Sequence, residues 1–102
     1  MSDERRSSER VRFPLEARWE GQSGRHPARI TDISLGGCYI ESRGQVTDGE
    51  IISFELQLQT GNWLRLRGTV AYQLSNIGFG VKFVDLSEAQ INLLSDVIEF
   101  GR

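Results

Sequence analysis

Two short polar clusters contain the side chains best suited to binding a ligand. The first lies in the segment 5–10, where three arginines precede the first predicted strand, and the second is Asp-Ile-Ser-Leu-Gly-Gly at 32–37. Arginine presents a planar fork that matches phosphate oxygens and the O6/N7 edge of guanine. A carboxylate and a hydroxyl on a glycine-shaped turn complete a set of groups that suits a guanine nucleotide. The candidate binding residues are Arg5, Arg6, Arg10, Asp32, Ser34, Gly36 and Gly37.

The size and charge of the chain limit the classes of function open to it. Its 102 residues fit one domain, which is large enough for a single hydrophobic core. The formal net charge of −2 argues against long-range attraction to a nucleic-acid polymer. No apolar run approaches the ~20 residues of a membrane span, and no apolar stretch follows the charged N-terminus. We therefore expect a cytoplasmic protein that does not insert into membranes.

The basic residues are almost all arginine. Eleven of the twelve are Arg, and only Lys82 is lysine. A GC-rich genome explains this ratio, but it does not explain why three of the arginines lie between positions 5 and 10. The clustering therefore needs a separate explanation.

Hydrophobic periodicity predicts a mainly β fold. Apolar and polar residues alternate in six short segments, which is the period of a half-buried strand. Turn signals follow the first, third and fourth segments, and Gly68 indicates a bend or bulge within the fifth. The inward face of that fifth segment is predicted to comprise Leu64, Leu66, Val70 and Tyr72. Six closely spaced strands predict a closed antiparallel β-barrel, because an open sheet of this size would leave its edges bare.

The period changes near the C-terminus, where a helix is predicted. Ser87 and Gln90 form a capping box, so the helix begins at Glu88, and Leu86 and Ile91 occupy the staple positions. Its apolar stripe is formed by Ile91, Leu94 and Ile98, flanked by Leu93 and Val97.

A single domain with three parts is expected. The first ten residues are polar and lack apolar periodicity, so the segment 1–10 is predicted to be a flexible arm. The barrel is predicted over 11–84, and the helix over 87–100 is expected to pack against one side of it.

Catalytic and metal-binding chemistry is poorly supported. His26 is the only histidine and Cys38 is the only cysteine, which leaves no usual set of nitrogen and sulfur metal ligands. His26 precedes Pro27 in a turn-like segment, and Cys38 fits a small apolar strand residue in a reducing compartment. We therefore expect neither an enzyme nor a bound metal or cofactor.

Each binding cluster has a simpler structural explanation when it is taken alone. Arginines in the arm can form a solvated basic tail, and Asp32 and Ser34 can hydrogen-bond to the backbone of their own turn. The two clusters together favour ligand binding, because the arm leads into the first strand and the turn ends the strand expected to pair with it.

The clusters also resemble those of a known family. The arginines fit the pattern R-x-x-x-R at 6–10, and the turn fits D-x-S-x-x-G at 32–37. These patterns are similar to the two signature motifs of the PilZ domain, the bacterial receptor for the second messenger cyclic di-GMP. The segments 68–70 and 78–83 resemble the last two barrel strands of that family. The resemblance implies a six-stranded antiparallel barrel of the split-barrel type with a C-terminal α-helix.

The resemblance implies a role for each motif residue. Arg6 and Arg10 would grip phosphate oxygens and the guanine O6/N7 edge, and an arginine can also lie flat on a purine. Asp32 would accept hydrogen bonds from the N1–H and N2–H₂ donors of one guanine, with Ser34 beside it. The glycines at 36–37 would allow a backbone approach that a Cβ would obstruct.

A switch that acts by ordering the arm also follows from the resemblance. Members of the family bind either one ligand molecule or a stacked pair, and Arg5 ahead of the motif is compatible with the pair. On binding, the arm would close on the nucleotide, and an unidentified downstream protein would read the changed surface.

Two other classes of function fit parts of the sequence. A barrel that binds single-stranded nucleic acid needs a positive groove with exposed aromatic rings. Four aromatic residues are instead predicted to face inward: Trp19, Phe54, Phe79 and Phe83. A ligand-independent protein-interaction barrel would use the strand surface or the helix. An Arg10→Ala variant separates the readings, because it should abolish nucleotide binding and leave such partner binding unchanged.

Overall fold

The computed structural model describes residues 9–74 and 76–102, and its strands close into a barrel. The strands are β1 (Val11–Gly21), β2 (Gly24–Ile33), β3 (Gly37–Glu41), β4 (Ile51–Gln57), β5 (Trp63–Leu74) and β6 (Gly78–Val84). The order around the barrel is β1-β2-β3-β6-β5-β4, every pair is antiparallel, and pairing of β1 with β4 closes the ring. The predicted six-stranded antiparallel barrel is confirmed.

Alternate side chains of the strands fill the barrel interior. In β4, for example, Ile52, Phe54 and Leu56 are buried while the residues between them are only partly covered. Burial of each such side chain contributes roughly 1.5–3 kcal/mol, so the period-two pattern itself specifies which face turns inward. The opposite rows of side chains form the outer surface, where Asp32 lies.

The fifth strand departs from the predicted alternation after Val70. Its register with β6 shifts between Val70 and Tyr72, so that Ala71 is an extra residue in β5. Tyr72 consequently faces outward and is 51% exposed, which corrects the prediction that it lines the interior. Gly68 lies before this irregularity and serves close packing, because a Cβ there would collide with the Val81 side chain.

The helix α1 (Glu88–Phe100) follows β6 and is fixed to the barrel by its first turn. Ser87 and Gln90 form the predicted capping box, and the Gln90 side chain also donates to the Arg65 carbonyl at 2.8 Å. The buried face consists of Leu94, Val97 and Ile98. Ile91 and the flanking Leu93 are exposed, at 40% and 38%, so the predicted stripe is wrong at these two positions. Nowhere in 9–74 or 76–102 does a helix reach the length and apolar character required to cross a membrane.

Candidate ligand-binding site

The turn between β2 and β3 is held in a fixed shape by Ser34. The Ser34 hydroxyl accepts hydrogen bonds from the backbone N–H groups of Gly36 and Gly37, at 3.2 and 3.3 Å. The Ser34 N–H donates to the Gly37 carbonyl at 2.8 Å. The Gly36 carbonyl in turn accepts from the Phe83 N–H at 3.0 Å, which ties the turn to β6. The motif residues at 34–37 therefore form one rigid corner of the barrel.

The two glycines of this corner have different surroundings. Gly37 pairs with Lys82 of β6, and a Cβ at Gly37 would collide with the carbonyl oxygen of Val81. Gly36 is exposed, and the nearest atom to a Cβ there would be the Ser34 hydroxyl at 3.9 Å. Close strand pairing thus requires glycine at position 37, whereas glycine at position 36 leaves the outer side of the turn open.

Asp32 brings the two predicted clusters together. It lies on the outer face at the end of β2, opposite Arg12 of β1 and Tyr39 of β3. Its Oδ1 lies 2.5 Å from Nη1 of Arg10, and the two side chains are 25% and 53% exposed. Arg10, Asp32 and the corner at 34–37 therefore share one region of the surface. Two other predicted ligand residues, Arg5 and Arg6, lie outside the described residues.

The residue before Arg10 is bonded to the end of the helix. Glu9 Oε1 lies 2.6 Å from Nη2 of Arg102, and Nη1 of Arg102 lies 3.5 Å from Glu99. The arm predicted over 1–10 is thus anchored at its last two residues, to the helix end through Glu9 and to β2 through Arg10. Residues 1–8 of the predicted arm lie outside the described residues.

Two tyrosines outside the predicted site lie in one row with Asp32, Tyr39 next to it and Tyr72 further along. Across the outer face, Asp32 is followed by Tyr39 of β3, Gly80 of β6 and Tyr72 of β5, each opposite the next. The ring centroids of Tyr39 and Tyr72 are 6.3 Å apart, with 30° between the planes. A Cβ at Gly80 would collide with the Tyr72 ring, so this glycine allows the ring to lie over β6. The row is a carboxylate followed by two aromatic rings.

Burial changes the acid–base properties of the residues next to Asp32. The pKa of Tyr39 is raised by burial, with smaller contributions from Tyr72, Glu41 and Asp32. Among the described residues, the buried Tyr39 hydroxyl has no hydrogen-bond partner. Burial also raises the pKa of the inward-facing Cys38 thiol, with Asp32 adding to the rise and Arg10 opposing it. Both groups are therefore neutral at physiological pH.

A groove of about 640 Å³ lies toward the other end of β1. Three arginines line it: Arg18, Arg25 and Arg65. Arg18 is bonded to Glu55 at 2.7 Å and lies 3.9 Å from the centre of the Trp63 ring. None of the described residues of the two motif clusters lines this groove. In the described part of the chain, no three His, Cys, Asp or Glu side chains are grouped so as to hold a metal ion.

Comparisons with known proteins agree with the barrel and identify its family. The sequence model of the PilZ domain matches residues 4–100. None of the curated protein sequences matches the chain.

Solved structures of PilZ domains share the fold at low sequence identity. The PilZ domain of YcgR from Escherichia coli, solved with c-di-GMP, superimposes with a TM-score of 0.78 at 12% identity, over 91% of this chain and 88% of that one. The PilZ domain of CeSA from a cellulose-synthesizing bacterium gives 0.71 at 14% identity, over 91% and 97%. PlzA of Borreliella burgdorferi, solved in complex with c-di-GMP, gives 0.67 at 15% identity, over 95% of this chain and 42% of that one. On the match over residues 4–100, this chain belongs to the PilZ domain family.

Proposed function

We propose that this protein is a receptor for cyclic di-GMP and that it binds the ligand on the outer face of the barrel around Asp32. The observation that carries the proposal is the contact between Arg10 and Asp32, which brings the two motif clusters together from positions 22 residues apart in the chain. A guanidinium and a carboxylate beside an open glycine turn match the acceptors and donors of a guanine nucleotide. Membership of the PilZ family supports the same ligand.

Each motif residue has a distinct part in the proposed complex. Asp32 accepts hydrogen bonds from the N1–H and N2–H₂ groups of one guanine, while Arg10 turns from Asp32 toward a phosphate or the O6/N7 edge. Gly36 admits the ligand to the backbone of the turn, because its outer side is open. Ser34 lies beside the ligand and, through its bonds to the turn, holds the corner in position. Arg5 and Arg6 supply further guanidinium groups from the arm.

The two tyrosines extend the site across β3 and β6. An exposed ring is a stacking surface for a purine, and base stacking on an aromatic side chain is worth about 1–3 kcal/mol in single-stranded nucleic-acid complexes. Tyr72 is 51% exposed and lies in the same row as Asp32, so one guanine bonded to Asp32 and a second base over Tyr72 would together cover the row. This arrangement suits a ligand with two guanines.

The proposed output is a change in the surface that a downstream protein reads. Arg10 is bonded to Asp32, and Glu9 is bonded to Arg102 at the end of the helix. A ligand that draws Arg10 and the preceding arm across the barrel changes the pairing of both residues, and with it the surface beside the helix. The protein acts as a cytoplasmic binding module in this proposal and catalyses no reaction.

Isothermal titration calorimetry with a panel of nucleotides tests the proposal. Cyclic di-GMP should bind with a dissociation constant in the micromolar range or below, while GMP, GTP and cyclic di-AMP should bind far more weakly. A ratio near two ligands per chain would support the stacked pair suggested by Arg5, and a ratio near one would count against it. Absence of binding to cyclic di-GMP, or equal affinity for all four nucleotides, would reject the receptor function and favour a ligand-independent interaction module.

A further inference from the structure

Lys82 occupies a fixed position beside the motif corner. It lies on β6, paired with Gly37 of β3 on one side and with Thr69 of β5 on the other. The hydrogen bond from Phe83 N–H to the Gly36 carbonyl, at 3.0 Å, locks this part of β6 to the turn. The position of the Lys82 backbone relative to the corner is therefore set by the barrel and does not depend on the arm.

The Lys82 side chain projects from the same face as the proposed site. Lys82 and Gly80 are two residues apart on β6, so both are on the outer face, where Gly80 lies between the two tyrosines. Gly37, the neighbour of Lys82 on β3, has no side chain that could cover the Lys82 side chain. Lys82 is exposed and, among the described residues, forms no ion pair. Its ammonium group is thus free to reach over the glycine toward the ligand.

Among the described residues, the basic side chains nearest to Asp32 are unevenly distributed between the two sides of the proposed site. The one on β5, Arg67, is bonded to Asp85 at 3.3 Å. Arg10 and Arg12 both lie on the β1 side of Asp32, and the Asp32 carboxylate offsets one of their charges. On the other side, strands β3 and β6 contain one basic residue between them, Lys82. A ligand that extends from Asp32 to Tyr72 crosses both strands, a distance of about 10–15 Å at the usual strand spacing. Its two phosphates carry two negative charges, and one of them would lie over β3 and β6, away from Arg10 and Arg12.

We infer that the Lys82 ammonium binds a phosphate of the ligand on the β6 side of the site, opposite the arginines. The inference rests on the proposed function and adds a residue that neither motif contains. Lysine suits this place, because a compact ammonium on a flexible stem needs only one oxygen and no bidentate geometry. The residue acts on the ligand directly and contributes a charge whose position is set by the barrel strands and not by the arm.

Three variants test the inference by calorimetry with cyclic di-GMP. Lys82→Gln should weaken binding about tenfold and make the affinity less sensitive to salt, because a charge-assisted bond is lost. Lys82→Arg keeps the charge and should stay within about threefold of the wild type. Arg65→Gln is the matched control: it removes the same charge from an exposed position on β5, four residues from Thr69, and should leave the affinity unchanged. Thermal unfolding of all three variants verifies that they are folded.

Lys82 is the sole lysine of the chain, so lysine labelled with ¹³C gives one side-chain spin system. Its Hε/Cε resonance should shift when cyclic di-GMP is added to the wild type. The inference is overturned if Lys82→Gln binds like the wild type, if Arg65→Gln weakens binding equally, or if the Hε/Cε resonance stays in place at saturation. In each of these cases the wild type still binds and the receptor function stands. If the wild-type chain does not bind cyclic di-GMP, both the receptor function and the inference are rejected.

Discussion

Arg10 and Asp32, both assigned to the ligand, are bonded to each other at 2.5 Å. Because both side chains are partly exposed, such an ion pair contributes only about 0–1 kcal/mol. Charge-assisted hydrogen bonds to a ligand contribute about 1.5–3 kcal/mol each. The ligand can therefore displace the pair, and until it does so the pair keeps the two binding groups within one site.

Removing either charge of this pair should weaken binding of cyclic di-GMP. Asp32→Asn and Arg10→Gln are each expected to lower the affinity at least about tenfold, because each deletes a charged contact with the nucleotide. A different ion pair, Arg18–Glu55 between β1 and β4, provides a matched control. The two side chains are 2.7 Å apart and are 54% and 26% exposed. Glu55→Gln should bind like the wild type in calorimetry. Equal losses in Glu55→Gln and Asp32→Asn would show that the effect is not specific to the site.

Tyr72 should contribute stacking and little stability. Tyr72→Ala is expected to weaken cyclic di-GMP binding about 5- to 150-fold, the range that corresponds to about 1–3 kcal/mol of stacking, whereas Tyr72→Phe keeps the ring and the affinity. Leu74→Ala is the control, because Leu74 lies two residues further along β5 and is 50% exposed. Calorimetry on the three variants measures the effect. Unchanged affinity of Tyr72→Ala would show that the Tyr72 ring does not contact the ligand.

Replacing the two motif glycines by alanine should affect different properties: stability at position 37 and ligand affinity at position 36. Gly37→Ala is expected to lower the free energy of unfolding by about 1–3 kcal/mol or more, because its Cβ would collide with the Val81 carbonyl in the adjacent strand. In Gly36→Ala the new Cβ lies in open space, so the free energy of unfolding should change by less than about 0.5 kcal/mol. The affinity for cyclic di-GMP should fall. Urea unfolding and calorimetry separate the two effects. Similar stability losses in both variants would contradict this assignment.

The stability of the protein should fall in alkaline solution because of Cys38. Its pKa is raised by burial above the ordinary 9.0. Above about pH 9 the unfolded chain loses the thiol proton and the folded chain keeps it. The free energy of unfolding is then unaffected below about pH 9 and falls by up to about 1.4 kcal/mol per pH unit above it.

Cys38→Ala isolates this contribution, because alanine keeps a small apolar side chain and has no proton to lose. Urea unfolding at several values between about pH 8 and pH 10.5 should give a shallower decline in the variant than in the wild type. Tyr39, whose pKa is also raised, contributes a decline in the same direction to both proteins. Identical slopes would mean that the Cys38 thiol does not titrate differently in the two states.

Much of the fold follows from patterns that are local in sequence. The alternation in β4 and the box formed by Ser87 and Gln90 each depend on residues within one element, so they could be identified without a structure. The exposure of Tyr72 could not be predicted in this way. The extra residue Ala71 reverses the alternation, but it is apolar like the residues on either side of it, so the sequence pattern gives no sign of the reversal. Spacing alone places Ile91 in the buried stripe, whereas the helix turns Leu94, Val97 and Ile98 toward the core.

The candidate site divides in the same way. Asp32 is predicted from its motif, because the spacing of its turn is specific in the sequence. Other features of the candidate site depend on which strands and termini become neighbours. These are the positions of Tyr39 and Lys82 and the bond between Glu9 and Arg102. Such contacts join residues far apart in the chain, and no short pattern encodes them.

An NMR titration of the ¹⁵N-labelled chain with cyclic di-GMP tests the central claim most directly, because it shows where on the barrel the ligand binds. The backbone amides of 32–37, Tyr39 and Gly80–Lys82 should shift, and those of residues 1–10 should gain protection from hydrogen exchange. Amides around Arg18, Arg25 and Arg65 should stay in place. Shifts centred on that arginine-lined groove, or none at saturating ligand, would contradict a site built on Arg10 and Asp32.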